Sequence, residues 1–69
     1  MEQIQITTEY IKLDAFLKFC TAVSSGGEAK ILIADGQVQV NGEVCTQRGK
    51  KLHPGDTVSI GGETYEVTA

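Results

Sequence analysis

Arg48, Lys50 and Lys51 fall within four positions, with His53 just beyond and no acid among them. Cations spaced this closely can contact successive phosphates and release condensed counterions on binding. A guanidinium such as that of Arg48 can also hydrogen-bond two phosphate oxygens at once. The plainer reading is a solvated turn kept charged for solubility. A second group, Ser25-Gly26-Gly27-Glu28-Ala29-Lys30, has the form of a helix start. There the first amides lack intrahelical partners and attract anions. Gly26 and Gly27 put no side chain in the way of a sugar-phosphate backbone. Lys30 stands one turn inside, where a cation opposes the helix dipole. A phosphate partner would give that placement a purpose, whereas the plain alternative is a solvated lysine beside a well-capped turn.

Other chemistries lack their residues. The nucleophile elbow GxSxG, the zinc-protease HExxH and the phosphate-loop GxxxxGK[ST] are absent, so neither catalysis nor a nucleotide cofactor is expected. Cys20 and Cys45 lie far apart with one histidine in the chain, short of the four ligands of a structural zinc site. Both are expected to act as small apolar residues. A small secreted fold usually carries more disulfides than two thiols supply. No apolar run approaches the roughly 18 residues of a membrane span, and the start Met1-Glu2-Gln3-Ile4-Gln5 is not that of a signal peptide. A cytoplasmic chain is therefore expected, with no membrane contact. The net charge is −3, which argues against a uniformly basic surface. Outside the 48–51 stretch, three cations stand against nine acids, so the chain is acidic with one local basic loop.

The elements that must position these groups can be read from the period of the apolar residues. Sixty-nine residues, 41% of them hydrophobic, make one small domain spanning 1–69. Alternation over residues 3–7 predicts a strand presenting Ile4 and Ile6. Leu13, Phe16, Leu17 and Cys20 fall at i, i+3, i+4 and i+7, one face of a helix ending near Val23, with Asp14 in its first turn. Ser25 and Glu28 form a capping box, in which the Ser25 hydroxyl accepts from the amide of residue 28 and the Glu28 carboxylate reaches back to the amide of residue 25. The second helix places Ala29, Leu32 and Ile33 on one face and closes at Gly36. Val38 and Val40 alternate with glutamines before Asn41-Gly42, a strong hairpin signal, and residues 43–46 return. His53-Pro54-Gly55-Asp56 suits a type II turn. Residues 57–60 and 64–67 form a second hairpin around Gly61-Gly62. The fold class is α+β, a two-helix unit on a small, mostly antiparallel sheet. Phe16 belongs to the core; Phe19, Tyr10 and Tyr65 show no evident base-stacking platform, so recognition of backbone and shape is expected.

In order along the chain, Lys12-Leu13-Asp14, Ser25-Gly26-Gly27-Glu28-Ala29-Lys30, Gly36-Gln37-Val38-Gln39-Val40-Asn41-Gly42, Arg48-Gly49-Lys50-Lys51 and Pro54-Gly55-Asp56 resemble a known family. This is the RNA-binding domain named after small-subunit ribosomal protein four, the S-four domain. The likeness runs from about residue 11 to residue 60, and the short free-standing form is similar to the bacterial YaaA/YbcJ group. It implies a helix-turn-helix and hairpin arrangement, the alpha-L motif, that binds structured RNA, commonly ribosomal, through one positive face. Carried over by position, that face comprises Lys12, Ser25, Gly26, Gly27, Lys30, Arg48, Lys50 and Lys51. Many relatives carry basic residues where this chain has Gly26 and Gly27, and charged ones in place of Gln37 and Gln39, so the face is expected to be thinner than usual. The expected protein is a monomeric RNA binder, with a ribosome or ribosomal subunit as its expected partner. The alternative is a ribosome-associated adaptor whose acidic majority meets a basic protein. A ubiquitin-like sulfur carrier is disfavoured, because the chain ends Val67-Thr68-Ala69 and lacks a terminal Gly-Gly.

Overall fold

The computed structural model describes residues 1–20 and 23–69. Strand β1 (Glu2–Gln5) and the two-residue strand β2 (Ile11–Lys12) lead into helix α1 (Leu13–Phe19), which is followed by helix α2 (Gly26–Ala34). Five strands follow: β3 (Val38–Val40), β4 (Glu43–Val44), β5 (Lys51–Leu52), β6 (Thr57–Ile60) and β7 (Glu63–Thr68). The main sheet has the order β1-β7-β6-β3-β4, and β2 and β5 form a separate two-stranded ribbon. All neighbours are antiparallel except β1 and β7, which run parallel with Ile4 opposite Val67.

The core follows from the two periodicities. Helix α1 buries Leu13, Phe16 and Leu17, and α2 buries Ala29 and Ile33 with Leu32 half-buried beside them. Against them lie Val38, Val40, Val58 and Val67 from the sheet, Leu52 from the ribbon, and Ile6, Cys20 and Val23. In β3 the alternation is complete, with both valines buried and Gln39 exposed. Cys45 is a free, half-buried thiol packed against the core, as its reading as an apolar residue requires. Among the described residues no polar or charged side chain is buried.

Local turn chemistry fixes the register. The amide of Gly36, at φ +78°, donates to the Ile33 carbonyl (3.1 Å), and that of Gln37 donates to the Leu32 carbonyl (3.1 Å). This is a Schellman ending on a left-handed glycine. Asn41 and Gly42, at φ +53° and +85°, make the two-residue turn between β3 and β4. Two positive φ values there match the right-handed twist of the strands. Asn41 does more than tolerate its backbone. Its Oδ1 accepts from the amide of Thr57 (2.9 Å), and its Nδ2 donates to Asp56 Oδ1 (3.1 Å), tying the turn to the start of β6. Asn41→Ala is expected to cost about 2–3 kcal/mol in urea unfolding, from the left-handed backbone and the lost bonds together. Asn41→Gly restores the backbone part and is expected to recover about half of the loss. Equal stability of Ala and Gly variants would show that the φ value carries no cost.

Four boundaries differ from the sequence reading, one of them that of β7, which runs Glu63–Thr68 where the sequence predicts 64–67. Helix α1 ends at Phe19, and Val23 is buried in a bend where its amide donates to the Leu17 carbonyl (3.3 Å). Residues 21 and 22, which the predicted helix also covered, lie outside the described residues. The first strand is residues 2–5, with Ile6 continuing the pairing through its amide to the Thr68 carbonyl (2.8 Å). The return strand β4 spans two residues, although the Cys45 amide still donates to the Val38 carbonyl (3.0 Å).

Candidate nucleic-acid interface

The basic loop caps the start of helix α1 with its main chain. The amide of Leu13 donates to the Lys50 carbonyl (2.9 Å) and that of Asp14 to the Arg48 carbonyl (3.1 Å). Lys12, the residue before α1, offers no side-chain cap, so the loop's main chain supplies the acceptors that the helix start requires. Asp14 Oδ1 takes the next amide, that of Ala15, at 2.8 Å. The carbonyls of the loop therefore point at α1 while its side chains stay exposed. The ribbon completes the group, because β2 and β5 set Lys12 directly opposite Lys51. Like charges in that cross-strand relation are destabilising. The structure thus brings Lys12, Arg48, Lys50 and Lys51 together through backbone bonds, with two lysines held at an electrostatic cost.

The second group forms around the start of α2. The Ser25 hydroxyl accepts from the Glu28 amide at 3.2 Å, as the capping box predicts. The reciprocal half differs, since the Glu28 carboxylate accepts instead from the Ser24 hydroxyl at 3.1 Å. The Ala29 amide goes to the Ser25 carbonyl (3.1 Å), so Gly26 and Gly27 carry the helix-start amides left to an anion. A residue that the sequence reading missed joins them. Lys18 reaches back so that its Nζ lies 4.0 Å from where a Cβ on Gly26 would stand. A cation at a helix start opposes the dipole, and a bound anion would reconcile the two. The clue was present in sequence: Lys18 lies outside the apolar stripe of α1, in its last turn, just before the Ser/Gly turn. Lys30 is exposed on α2 four residues beyond Gly26, on the same helix face. Helix α1 connects the two groups, with its first turn on the basic loop and its last turn at Gly26.

A turn beneath the loop holds it in place. Gly55 takes φ +101°, and the Asp56 amide donates to the His53 carbonyl (2.9 Å), the expected Pro54-Gly55 turn. Asp56 Oδ2 accepts from the His53 amide at 2.7 Å and lies 3.9 Å from His53 Nδ1. Burial raises the Asp56 carboxyl, but hydrogen bonds from the His53 amide and the Asn41 side chain, with the charges of His53 and Lys50, outweigh it and lower its pKa below 3.8. A carboxyl held lower in the folded than in the unfolded state stabilises the fold above the unfolded value and loses that contribution as pH falls through the folded one. The melting temperature is therefore expected to fall from about pH 5 downward through pH 3.8 and below. Asp56→Asn should show a shallower acid limb in circular-dichroism melts. Parallel limbs in the two proteins would place the acid sensitivity elsewhere.

Comparison with known proteins bears on the family and the fold. The sequence profile described as S4 domain matches residues 4–68. RlbA of Bacillus subtilis (strain 168), named for ribosome maturation, is 46% identical over 59 residues, covering 86% of this chain and 83% of RlbA. YbcJ of Escherichia coli (strain K12), named for RNA binding, is 42% identical over 60 residues, covering 87% of this chain and 86% of YbcJ. The solution structure of Escherichia coli YbcJ, described as revealing an alpha-L motif involved in RNA binding, superposes with a TM-score of 0.76 at 37% identity. It covers 100% of this chain and 89% of YbcJ. Ribosomal protein S4e of Thermoplasma acidophilum shares the fold, with a TM-score of 0.73 at 23% identity over 87% of this chain and 32% of that one. With the two-helix unit, the mostly antiparallel sheet and the profile match over nearly its whole length, the chain belongs to the S4 domain family.

Proposed function

We propose that this protein binds structured RNA, of ribosomal origin, by contacting its phosphates, with no chemical step. The observation that carries the reading is the Lys12, Arg48, Lys50 and Lys51 group, which the capping of α1 and the β2–β5 ribbon gather into one exposed cluster of cations on an otherwise acidic protein. Lys18, Ser25, Gly26, Gly27 and Lys30 extend it along the helices. Cations at the starts of α1 and α2 and a like-charge pair across the ribbon all oppose local stability, and all are relieved by a polyanion. The names of RlbA and YbcJ support the same direction.

The test is fluorescence anisotropy of labelled ribosomal RNA fragments titrated with pure protein across a salt series. Binding is expected with a slope of log K against log salt of about −2 to −5, the mark of a few phosphate contacts. Absence of binding at low salt would overturn the reading. In that case the acidic surface dominates and a protein adaptor takes its place. That second reading has one specific feature in its favour, an apolar hollow lined by Ile6, Ile11, Ala15 and Phe19, with Phe19 57% exposed.

A further inference from the structure

The β2–β5 ribbon carries a pattern that its sequence halves conceal. Lys12 faces Lys51, and the next pair, Ile11 with Leu52, turns to the other side, where Leu52 is fully buried. One residue further out come Tyr10 and His53, back on the side of the lysines, because successive side chains alternate across a strand. Their rings stand 6.1 Å apart, centroid to centroid, inclined by 46°. Lys51 Nζ sits 4.9 Å from the centre of the Tyr10 ring. Both aromatic residues are anchored from behind. The Thr8 hydroxyl donates to the Tyr10 carbonyl at 2.8 Å, and the His53 amide donates to the Asp56 carboxylate. The His53 side chain is 57% exposed and that of Tyr10 is partly so. An aromatic pair thus borders a lysine pair along one strip of surface, two residues or about 7 Å away.

We infer that Tyr10 and His53 form a stacking site for an unpaired base, while Lys51 and Lys12 take the phosphate of the same nucleotide. The inference rests on the RNA reading above and narrows it to RNA that presents an unpaired base beside a helical stem. A ring with a π face accepts any base, and nearby cations strengthen the contact. Lys51 can move from the ring to the phosphate and free the ring face for the base.

Two labelled RNA hairpins with the same stem, one carrying a single-nucleotide bulge and the other fully paired, provide the test by anisotropy. The natural protein is expected to prefer the bulged hairpin by about tenfold or more, the scale of one stacked base. Tyr10→Ala and His53→Ala should each erase most of that preference while keeping the affinity for the paired stem, and Tyr10→Phe should retain it. In a Tyr65→Phe background Tyr10 is the sole tyrosine, and its fluorescence should be quenched by the bulged hairpin more than by the paired one. Equal affinity for both hairpins, or a preference unchanged in folded Tyr10→Ala and His53→Ala, would overturn the stacking site and leave the phosphate reading intact. If neither hairpin nor any ribosomal fragment binds, both readings fall.

Discussion

Replacing Arg48, Lys50 and Lys51 together with alanine is expected to leave a folded domain that has lost its RNA affinity. Each charge-assisted hydrogen bond to phosphate contributes about 1.5–3 kcal/mol. Three lost together should weaken binding about a thousandfold or more at moderate salt. The salt slope should shrink by about 1 for each phosphate contact removed, to near zero if these three carry most of it. Stability is a separate matter, because the loop supports the fold through main-chain atoms. The carbonyls of Arg48 and Lys50 accept from the first amides of α1, and alanine keeps both. All three side chains are exposed, and exposed substitutions usually shift stability by no more than about 0.5 kcal/mol each. Removing Lys51 also ends its repulsion with Lys12, against which stands the loss of its contact with the Tyr10 ring. Anisotropy and a circular-dichroism melt on the same sample separate the two effects. A folded triple variant with unchanged affinity would sink the proposed interface.

Phe16→Ala should do the reverse, destroying the fold at a site remote from any ligand. Phe16 is fully buried, and its ring meets Tyr65 edge-on at 6.4 Å, joining α1 to β7. Truncating a buried phenylalanine costs about 3–5 kcal/mol, in lost transfer free energy and a residual cavity. A domain of this length has a total stability of roughly 3–10 kcal/mol. The variant is therefore expected to melt about 12–40 °C lower, at about 4–8 °C per kcal/mol for a small domain, or to be largely unfolded at room temperature. A fall of less than about 5 °C would mean that the core closes over the gap and that the helix–sheet contact is far looser than its burial indicates.

What was legible in the sequence was local. The face of α1 is written in Leu13, Phe16 and Leu17, the end of α2 in Gly36, and the two hairpins in Asn41-Gly42 and Gly61-Gly62, because each signal acts within a few residues of itself. Pro54-Gly55 belongs with them. The ribbon was hidden, since a two-residue strand such as Lys51–Leu52 has no periodicity to detect, and its partner Ile11–Lys12 lies forty residues earlier. For the same reason the facing of Lys12 by Lys51, the meeting of Tyr10 with His53 and the reach of Lys18 to Gly26 leave no local signal in the sequence. The cations themselves were recognisable, and Lys12 was assigned to their group only through the family likeness. The structure supplies the physical link, the bonds from α1 to the carbonyls of the loop.

The parallel pairing of β1 with β7 has a consequence for the order in which the chain can fold. Glu2 pairs with Tyr65 and Gln5 with Thr68, so β1 has its partner 63 residues later in the chain. Contacts so distant in sequence must wait for loop closure and slow the approach to the native state. During synthesis the helices and the β3–β4 hairpin can form as they emerge, whereas β1 is left with an unpaired edge until residue 68 has cleared the ribosome. For that interval the side chains of Ile4 and Ile6 have no partner strand beside them, which leaves β1 open to mispairing until β7 is made.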